Sequence, residues 1–274
     1  MTWLEALILG VVEGITEYLP VSSTGHLLLA QRALGIEKTG AADAFAICIQ
    51  AGAIVAVLGL YFRRVGQMAR GMLGRNPEGL RLAMGVLCAF APAAVLALLL
   101  EKPIKAHLFG LWPVVAAWFV GGVAILVVSY LRRRGGSSPG CPLESLTWRM
   151  AVIIGFAQCL AMWPGVSRSL VTIVGGVLVG LSLPAAVEFS FLLGVVTLGA
   201  ATAYDALKHG SEMLALYGPL PLAVGFLSAW LSAVLAVKWM VGYLQRHGMQ
   251  IFGWYRIAIA LVVAGLLLAG LLTP

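Results

Sequence analysis

Glu13 and Glu17 stand four residues apart in an otherwise apolar stretch, so a helix would project both carboxylates from one face. Ser22, Ser23, Thr24 and His26 follow closely. Burying a charge in an apolar layer costs on the order of 2.5–3.5 kcal/mol even on lenient insertion scales, so two acids beside hydroxyls and a histidine point to function rather than structure. Paired carboxylates suit a hard cation, Mg2+ or Ca2+, which keeps waters and takes further ligands from a phosphate. Glu13 and Glu17 are therefore the candidate metal ligands. The Ser22-Ser23-Thr24 run offers hydroxyls, free backbone N–H groups and the positive end of a helix, an arrangement that favours an anion. His26, one turn after Ser23, lies within reach of the same cavity as general base, general acid or nucleophile.

A second cluster, Pro164-Gly165-Val166-Ser167-Arg168-Ser169, builds another such helix start and adds a guanidinium, the side chain best matched to phosphate oxygens. Arg168 is the only Lys or Arg between Arg149 and Lys208. Ser22, Thr24, Ser167, Arg168 and Ser169 are the candidate phosphate binders, and Glu13, Glu17, Ser23, His26 and Arg168 the candidate catalytic set. Glu188, which opens the apolar run after segment 150–183, either holds Arg168 or sits at the membrane interface. His107, His209 and His247 are assigned nothing. Two acids, hydroxyls, a histidine and an arginine are the equipment for phosphoryl transfer from a phosphate-bearing lipid. Three nucleophiles are open: Ser23 with His26 as its base, which is the preferred one, His26 itself, or a water activated at the metal.

The elements that must position these groups are membrane helices. The chain has 274 residues, 61% of them apolar and 11% charged, with a mean hydropathy of +0.98, whereas a soluble domain carries roughly 25% charge. Met1 to Leu9 hold no Lys or Arg, so a cleaved signal peptide is not expected. The net charge of +7 resides in short loops rather than on one polar face, which argues against nucleic acid as a partner. Cys48, Cys88 and Cys159 lie inside apolar runs and lack metal-ligand spacing. Runs free of charge predict spans at 44–62, 82–100, 108–131, 189–204, 213–237 and 257–272. Segments 3–34 and 150–183 are apolar but broken, by Pro20 with Ser22-Ser23-Thr24 and by Pro164-Gly165 with Ser167-Arg168-Ser169. Each half is too short to cross, so both read as re-entrant helix hairpins.

The basic residues test this parse, because a hairpin leaves on the side it entered and a span switches sides. Arg63, Arg64, Arg70, Arg75, Arg81, Arg132, Arg133, Arg134, Arg149, Lys238 and Arg246 fall on one side, and Arg32, Lys38, Lys102, Lys105 and Lys208 on the other. The richer side is then the cytoplasm, and both termini lie outside. An offset of 145 aligns Gly10 with Gly155, Glu13 with Gln158, Ser22 with Ser167 and Thr24 with Ser169. The predicted fold is an all-α polytopic membrane protein built as an inverted repeat, each half one re-entrant hairpin plus three transmembrane helices. Residues 1–131 form the first repeat, 132–146 a cytoplasmic linker and 147–274 the second repeat. The two broken segments should meet near the midplane.

Glu13-Gly-Ile-Thr-Glu17-Tyr-Leu-Pro20-Val-Ser22-Ser23-Thr24-Gly25-His26 and Pro164-Gly165-Val166-Ser167-Arg168-Ser169 resemble the two signature motifs of the bacterial undecaprenyl-diphosphate phosphatases, the bacitracin-resistance protein family. The similarity covers essentially the whole chain. It implies hydrolysis of undecaprenyl diphosphate to undecaprenyl phosphate in the bacterial plasma (inner) membrane, with the site open to the periplasmic, outer side, recycling the lipid carrier for cell-wall synthesis. Leu170 stands where the family usually has glycine, which bears on how closely another helix approaches there. The expected partners are the lipid substrate, membrane lipids and a second copy of the chain. Inverted repeats with broken helices also serve transporters, so a transporter or flippase for an anion or phosphate-bearing lipid is the competing reading. It has no need of two acids beside a serine and a histidine.

Overall fold

The computed structural model describes residues 1–36, 40–108, 110–134 and 140–272, with side chains other than those at 40–44, 47, 100–107, 133 and 208–215. Lys38 therefore lies outside the described residues, as do residues 135–139 of the expected linker and the side chains of Lys102, Lys105, His107, Arg133, Lys208 and His209. Eleven α-helices make up the described chain: α1 Trp3–Thr16, α2 Ser23–Ala33, α3 Gly40–Leu60, α4 Phe62–Met72, α5 Pro77–Leu108, α6 Leu111–Arg134, α7 Trp148–Cys159, α8 Arg168–Leu178, α9 Leu183–Tyr217, α10 Pro219–His247 and α11 Gln250–Leu268. Five of them are long and apolar enough to cross a membrane, and α3 with α4 makes a sixth candidate that bends by 82°.

Both segments expected to be broken are broken. Thr2 caps α1, accepting from the Glu5 backbone N–H while the Glu5 carboxylate accepts from Thr2, and α1 runs for 14 residues before Pro20 forbids its continuation. The 11-residue α2 starts at Ser23. Thr147 caps α7, which passes through a 3-10 turn at Leu160–Met162 before α8 begins at Arg168. The ends of each hairpin come together. The Cys141 N–H donates to the Gly180 carbonyl and the Cys141 carbonyl accepts from the Ser182 N–H, while Met1, Leu34 and Ile36 pack on one cluster.

Close backbone packing holds the hairpins in the bundle. α1 lies against α10, where a Cβ on Gly10 would come 2.4 Å from the Gly225 carbonyl oxygen. α7 lies against α5, where a Cβ on Gly155 would come 2.6 Å from the Ala89 carbonyl oxygen. Small residues that let helix backbones touch are the usual glue of membrane bundles. α6 pairs with α11 and α3 with α9, around a core that includes Tyr18, Phe189 and Phe191.

Several boundaries differ from the sequence expectation. The span expected at 44–62 turns sharply at Tyr61 into α4, where the pattern of charged residues predicts only a loop. Val65 and Met68 recur on one face of α4 and pack on the core while the arginines take the other faces, the pattern of an amphipathic helix. The spans expected at 82–100 and 189–204 continue through their charged ends to Leu108 and Tyr217, since Glu and Lys are good helix formers and cost nothing beyond the apolar layer. Gly218, at φ 70°, and Pro219 then separate α9 from α10. Glu188, one of whose expected partners was Arg168, bonds instead to Arg64 at 2.6 Å. Arg64 also holds Glu144 at 2.7 Å and keeps that carboxyl below its ordinary range. This knot ties α4 and the 140–147 segment to the start of α9.

Candidate active site

The two helix breaks share one backbone device. Ser22 (φ 74°, ψ 101°) and Ser167 (φ 77°, ψ 115°) are the only non-glycine residues with positive φ among the described residues, and they occupy matched positions in the two motifs. Such conformations cost on the order of 1–3 kcal/mol each, and they persist where the surroundings over-determine them. Each turns the chain sharply so that the next helix starts beside the end of the previous one. Ser23 and Arg168, the first residues of α2 and α8, are thereby aimed at the same point.

Ser23, Glu17 and Arg168 form a hydrogen-bonded chain there. The Ser23 hydroxyl donates to Glu17 Oε2, and Arg168 Nη2 donates to Glu17 Oε1 at 3.4 Å. Arg168 is further fixed by its Nη1, which donates to the Ser190 carbonyl at 2.9 Å, and by the Tyr18 ring, whose centroid lies 5.4 Å from its Cζ. Its Nε has no hydrogen-bond partner among the described residues. Glu13, one turn before Glu17 and in electrostatic contact with it and Arg168, is 1% exposed, and its Oε2 likewise has no hydrogen-bond partner among the described residues. Ser169 is fully buried and donates to the Leu19 carbonyl at 2.9 Å, which docks the second break on the first. The Ser167 hydroxyl caps the Leu170 N–H at 3.3 Å and meets Ser169 at 3.0 Å. Ser22 is buried and gives its helix no side-chain cap, while Thr24 is exposed on the first turn of α2. Leu170 packs into the core at 3% exposure.

His26 is placed differently from the expectation. Its Nδ1 lies 2.7 Å from the Ser22 carbonyl oxygen and its Nε2 2.7 Å from the Tyr255 hydroxyl, so both ring nitrogens are engaged away from Ser23. A carbonyl can only accept, so Nδ1 carries the proton and Nε2 accepts from tyrosine. The Ser23 hydroxyl donates its hydrogen bond to Glu17 instead. The positive φ at Ser22 produces this arrangement by swinging the start of α2 back over the end of α1 while leaving the Ser22 carbonyl to His26.

Two residues of the site carried no assignment in the sequence. Tyr255 stacks on His26 with ring centroids 5.7 Å apart. Arg256 is fully buried and bonds to three carbonyls, those of Pro20 (3.2 Å), Ala117 (2.9 Å) and Gly165 (2.8 Å), so one guanidinium clamps both breaks to α6. The available signal was a charge beside a long apolar run. Starting the span at 257 put Arg256 at its boundary, whereas α11 starts at Gln250 and carries Arg256 almost two turns inward. Trp118 completes the support, donating to the Val21 carbonyl at 2.9 Å while a Cβ on Gly25 would meet its ring at 2.6 Å. Arg256→Ala removes the guanidinium's bonds to three carbonyls and should cost about 3 kcal/mol or more, read as a lower melting temperature in detergent together with lost activity. Unchanged melting would remove its clamping role.

No cluster of three metal-ligating side chains occurs among the described residues. The pair Glu13 and Glu17, with one carboxylate oxygen buried and unpartnered, still fits a hard cation that completes its shell with water and phosphate oxygens.

Residues 6–262 match the family described as bacitracin resistance protein BacA. The chain belongs to that family. It is 50% identical over 265 residues to a protein of Sorangium cellulosum named undecaprenyl-diphosphatase, covering 96% of this chain and 86% of the relative. It is 45% identical over 270 residues to undecaprenyl-diphosphatase 2 of Rhodospirillum rubrum, covering 98% and 97%. A Bradyrhizobium relative, also named undecaprenyl-diphosphatase, is 45% identical over 258 residues, 93% of this chain and 94% of its own. Membership in this family accords with the site, whose buried acids, hydroxyl and guanidinium come from the two motifs by which the sequence resembles it.

Proposed function

We propose that the chain is an integral membrane phosphatase that hydrolyses undecaprenyl diphosphate to undecaprenyl phosphate and inorganic phosphate, recycling the lipid carrier for cell-wall synthesis. The observation that carries this reading is the Ser23–Glu17–Arg168 chain at the meeting point of two helix starts, in a chain half identical to an undecaprenyl-diphosphatase. A nucleophile, its proton acceptor and a phosphate-binding guanidinium are in one place, with helix N-termini to receive developing negative charge.

The hydrogen bonds support the following roles. Arg168, with an unpartnered Nε, orients the terminal phosphate. Ser23 gives its proton to Glu17 and attacks that phosphorus; the Ser Oγ–P bond forms as the bridging P–O bond breaks, and the lipid monophosphate leaves with its electron pair. The proton on Glu17 passes to the departing monophosphate; water then loses its own proton to the freed carboxylate as it attacks the phosphoserine, the Oγ–P bond breaks to release inorganic phosphate, and Ser23 Oγ takes the proton back from Glu17. His26, held by Ser22 and Tyr255, supplies a second proton carrier at the rim. Glu13 and Glu17 would hold a Mg2+ or Ca2+ ion, which when bound neutralises charge on the diphosphate oxygens. Purified protein should release phosphate from a polyprenyl diphosphate. Arg168→Lys should lower that rate tenfold to a hundredfold, since an ammonium cannot reproduce the guanidinium fork and loss of such bonds costs on the order of 1.5–3 kcal/mol. No release by the unaltered protein would remove the reading, and near-normal turnover of the lysine variant would remove the role of Arg168.

The basic loops support placement in the plasma membrane with 61–76 and 140–147 cytoplasmic and the catalytic pocket open to the outside. The exchange of partners between α1–α10 and α7–α5 supports the inverted repeat over 1–131 and 147–274. In a cysteine-free background, a cysteine at Leu220 should react with impermeant thiol reagents in intact cells and one at Arg75 should not; the opposite pattern would invert the topology.

A further inference from the structure

A cavity with a polar rim lies between the ends of α6, α8, α10 and α11, away from the Ser23–Glu17–Arg168 chain. It has a volume of about 190 Å³ and is bounded by Ser129 and Arg132 of α6, Val174 and Val177 of α8, His247 at the end of α10 and Gln250 at the start of α11. Along α6, Arg132 is about four turns beyond Ala117, whose carbonyl lies at the level of both breaks; that is about 22 Å. Half of a bilayer's hydrocarbon core is about 15 Å, so a chain whose breaks sit at the midplane carries Arg132 at the level of the lipid phosphates.

The lining has one sign of charge. Arg132 makes no ion pair or hydrogen bond among the described residues, and no acid borders the cavity. His247 reaches the same space from a different helix pair, its ring held on Tyr243 with centroids 4.6 Å apart. A hydroxyl and an amide add neutral donors, and the valines form an apolar wall beneath them. Neighbouring Arg134 shows what an arginine at this boundary does without a ligand: it lies over its own helix's Tyr130 ring at 4.8 Å. A cavity that gathers a free guanidinium and an imidazole over apolar side chains matches an amphiphilic anion, with the charged head above and methylenes below.

We infer that this cavity binds the phosphate headgroup of an anionic phospholipid, on the membrane face opposite the catalytic opening. The inference rests on the membrane topology and not on the phosphatase reading, so either can fail alone.

The test is native mass spectrometry of the full chain released from nanodiscs holding equal amounts of phosphatidylglycerol and phosphatidylcholine. The unaltered protein should retain the anionic lipid, and Arg132→Gln with His247→Gln should reduce that retention about tenfold or more. Arg134→Gln should retain as the unaltered protein does, and the melting temperature of the double variant, matched to wild type, reports that it folds; Arg132→Gln alone gives the same direction of change with a smaller perturbation. Equal retention of both lipids by the unaltered protein, or undiminished preference in the folded variants, would overturn the inference. Inorganic phosphate added to protein in phosphatidylcholine alone separates the two sources of this chemistry: broadening of its 31P resonance that depends on Arg132, without retention of phosphatidylglycerol, would assign the cavity to a free anion and overturn the lipid assignment.

Discussion

Ser23→Ala should abolish phosphate release, with a fall of at least about a thousandfold, if the hydroxyl that donates to Glu17 is the proposed nucleophile. The substitution removes one oxygen from a residue at 9% exposure and leaves the Arg168–Glu17 contact in place, so folding and diphosphate binding should persist. The rate therefore falls with little change in the affinity for a non-hydrolysed diphosphate analogue. Rapid quenching of unaltered enzyme with substrate labelled in the terminal phosphate should leave label on the protein, and Ser23→Ala should leave none. A loss within about tenfold, with no labelled protein in either case, would mean that water attacks directly and that Ser23 only orders Glu17.

The same hydroxyl marks where sequence reasoning stopped. Prolines, glycines and hydroxyls at the two breaks are local signals: Pro20 cannot continue α1, and the serines that follow accept the backbone conformations that restart a helix. The acid pair was equally legible, since a spacing of four has one meaning on a helix. What spacing leaves open is the direction in which α2 leaves the break. That direction is set by a single positive φ at Ser22, a value that serine adopts only under support from Trp118, Arg256 and Ser169 elsewhere in the chain. With the α2 start folded over α1, Ser23 meets Glu17, and the nearer residue in sequence, His26, meets Tyr255. Arg256 was lost for a related reason. A charge next to an apolar run defines a boundary in any count of uncharged residues, and only three carbonyls contributed by distant segments make a buried guanidinium tolerable. The bend at Tyr61 and the pairing of Glu188 with Arg64 are likewise long-range outcomes that short-range pattern does not contain.

Glu13→Gln and Glu17→Gln should differ in what each loses, and the difference assigns the acids. Glu17 spends both oxygens on Ser23 and Arg168, whereas Glu13 keeps a buried oxygen with no protein partner. Two carboxylates held together away from water repel, and a divalent cation relieves that repulsion. If both acids hold Mg2+ or Ca2+ with the diphosphate, activity should vanish with chelator and return with either ion. Glu13→Gln should then raise the half-maximal metal concentration at least about tenfold while a saturating ion recovers much of the rate, because one charged ligand oxygen is lost and the serine's acceptor is kept. Glu17→Gln should raise the metal requirement and also lower the saturated rate by about a thousandfold, since an amide accepts no proton from Ser23. The ratio of the two effects is the diagnostic quantity. An unaltered half-maximal metal concentration in both variants, despite reduced turnover, would take direct ligation away from the pair; Glu13 would then be an acid that shapes the field around Glu17 and Arg168, and the charge on the diphosphate would be met by Arg168 and the two helix starts alone.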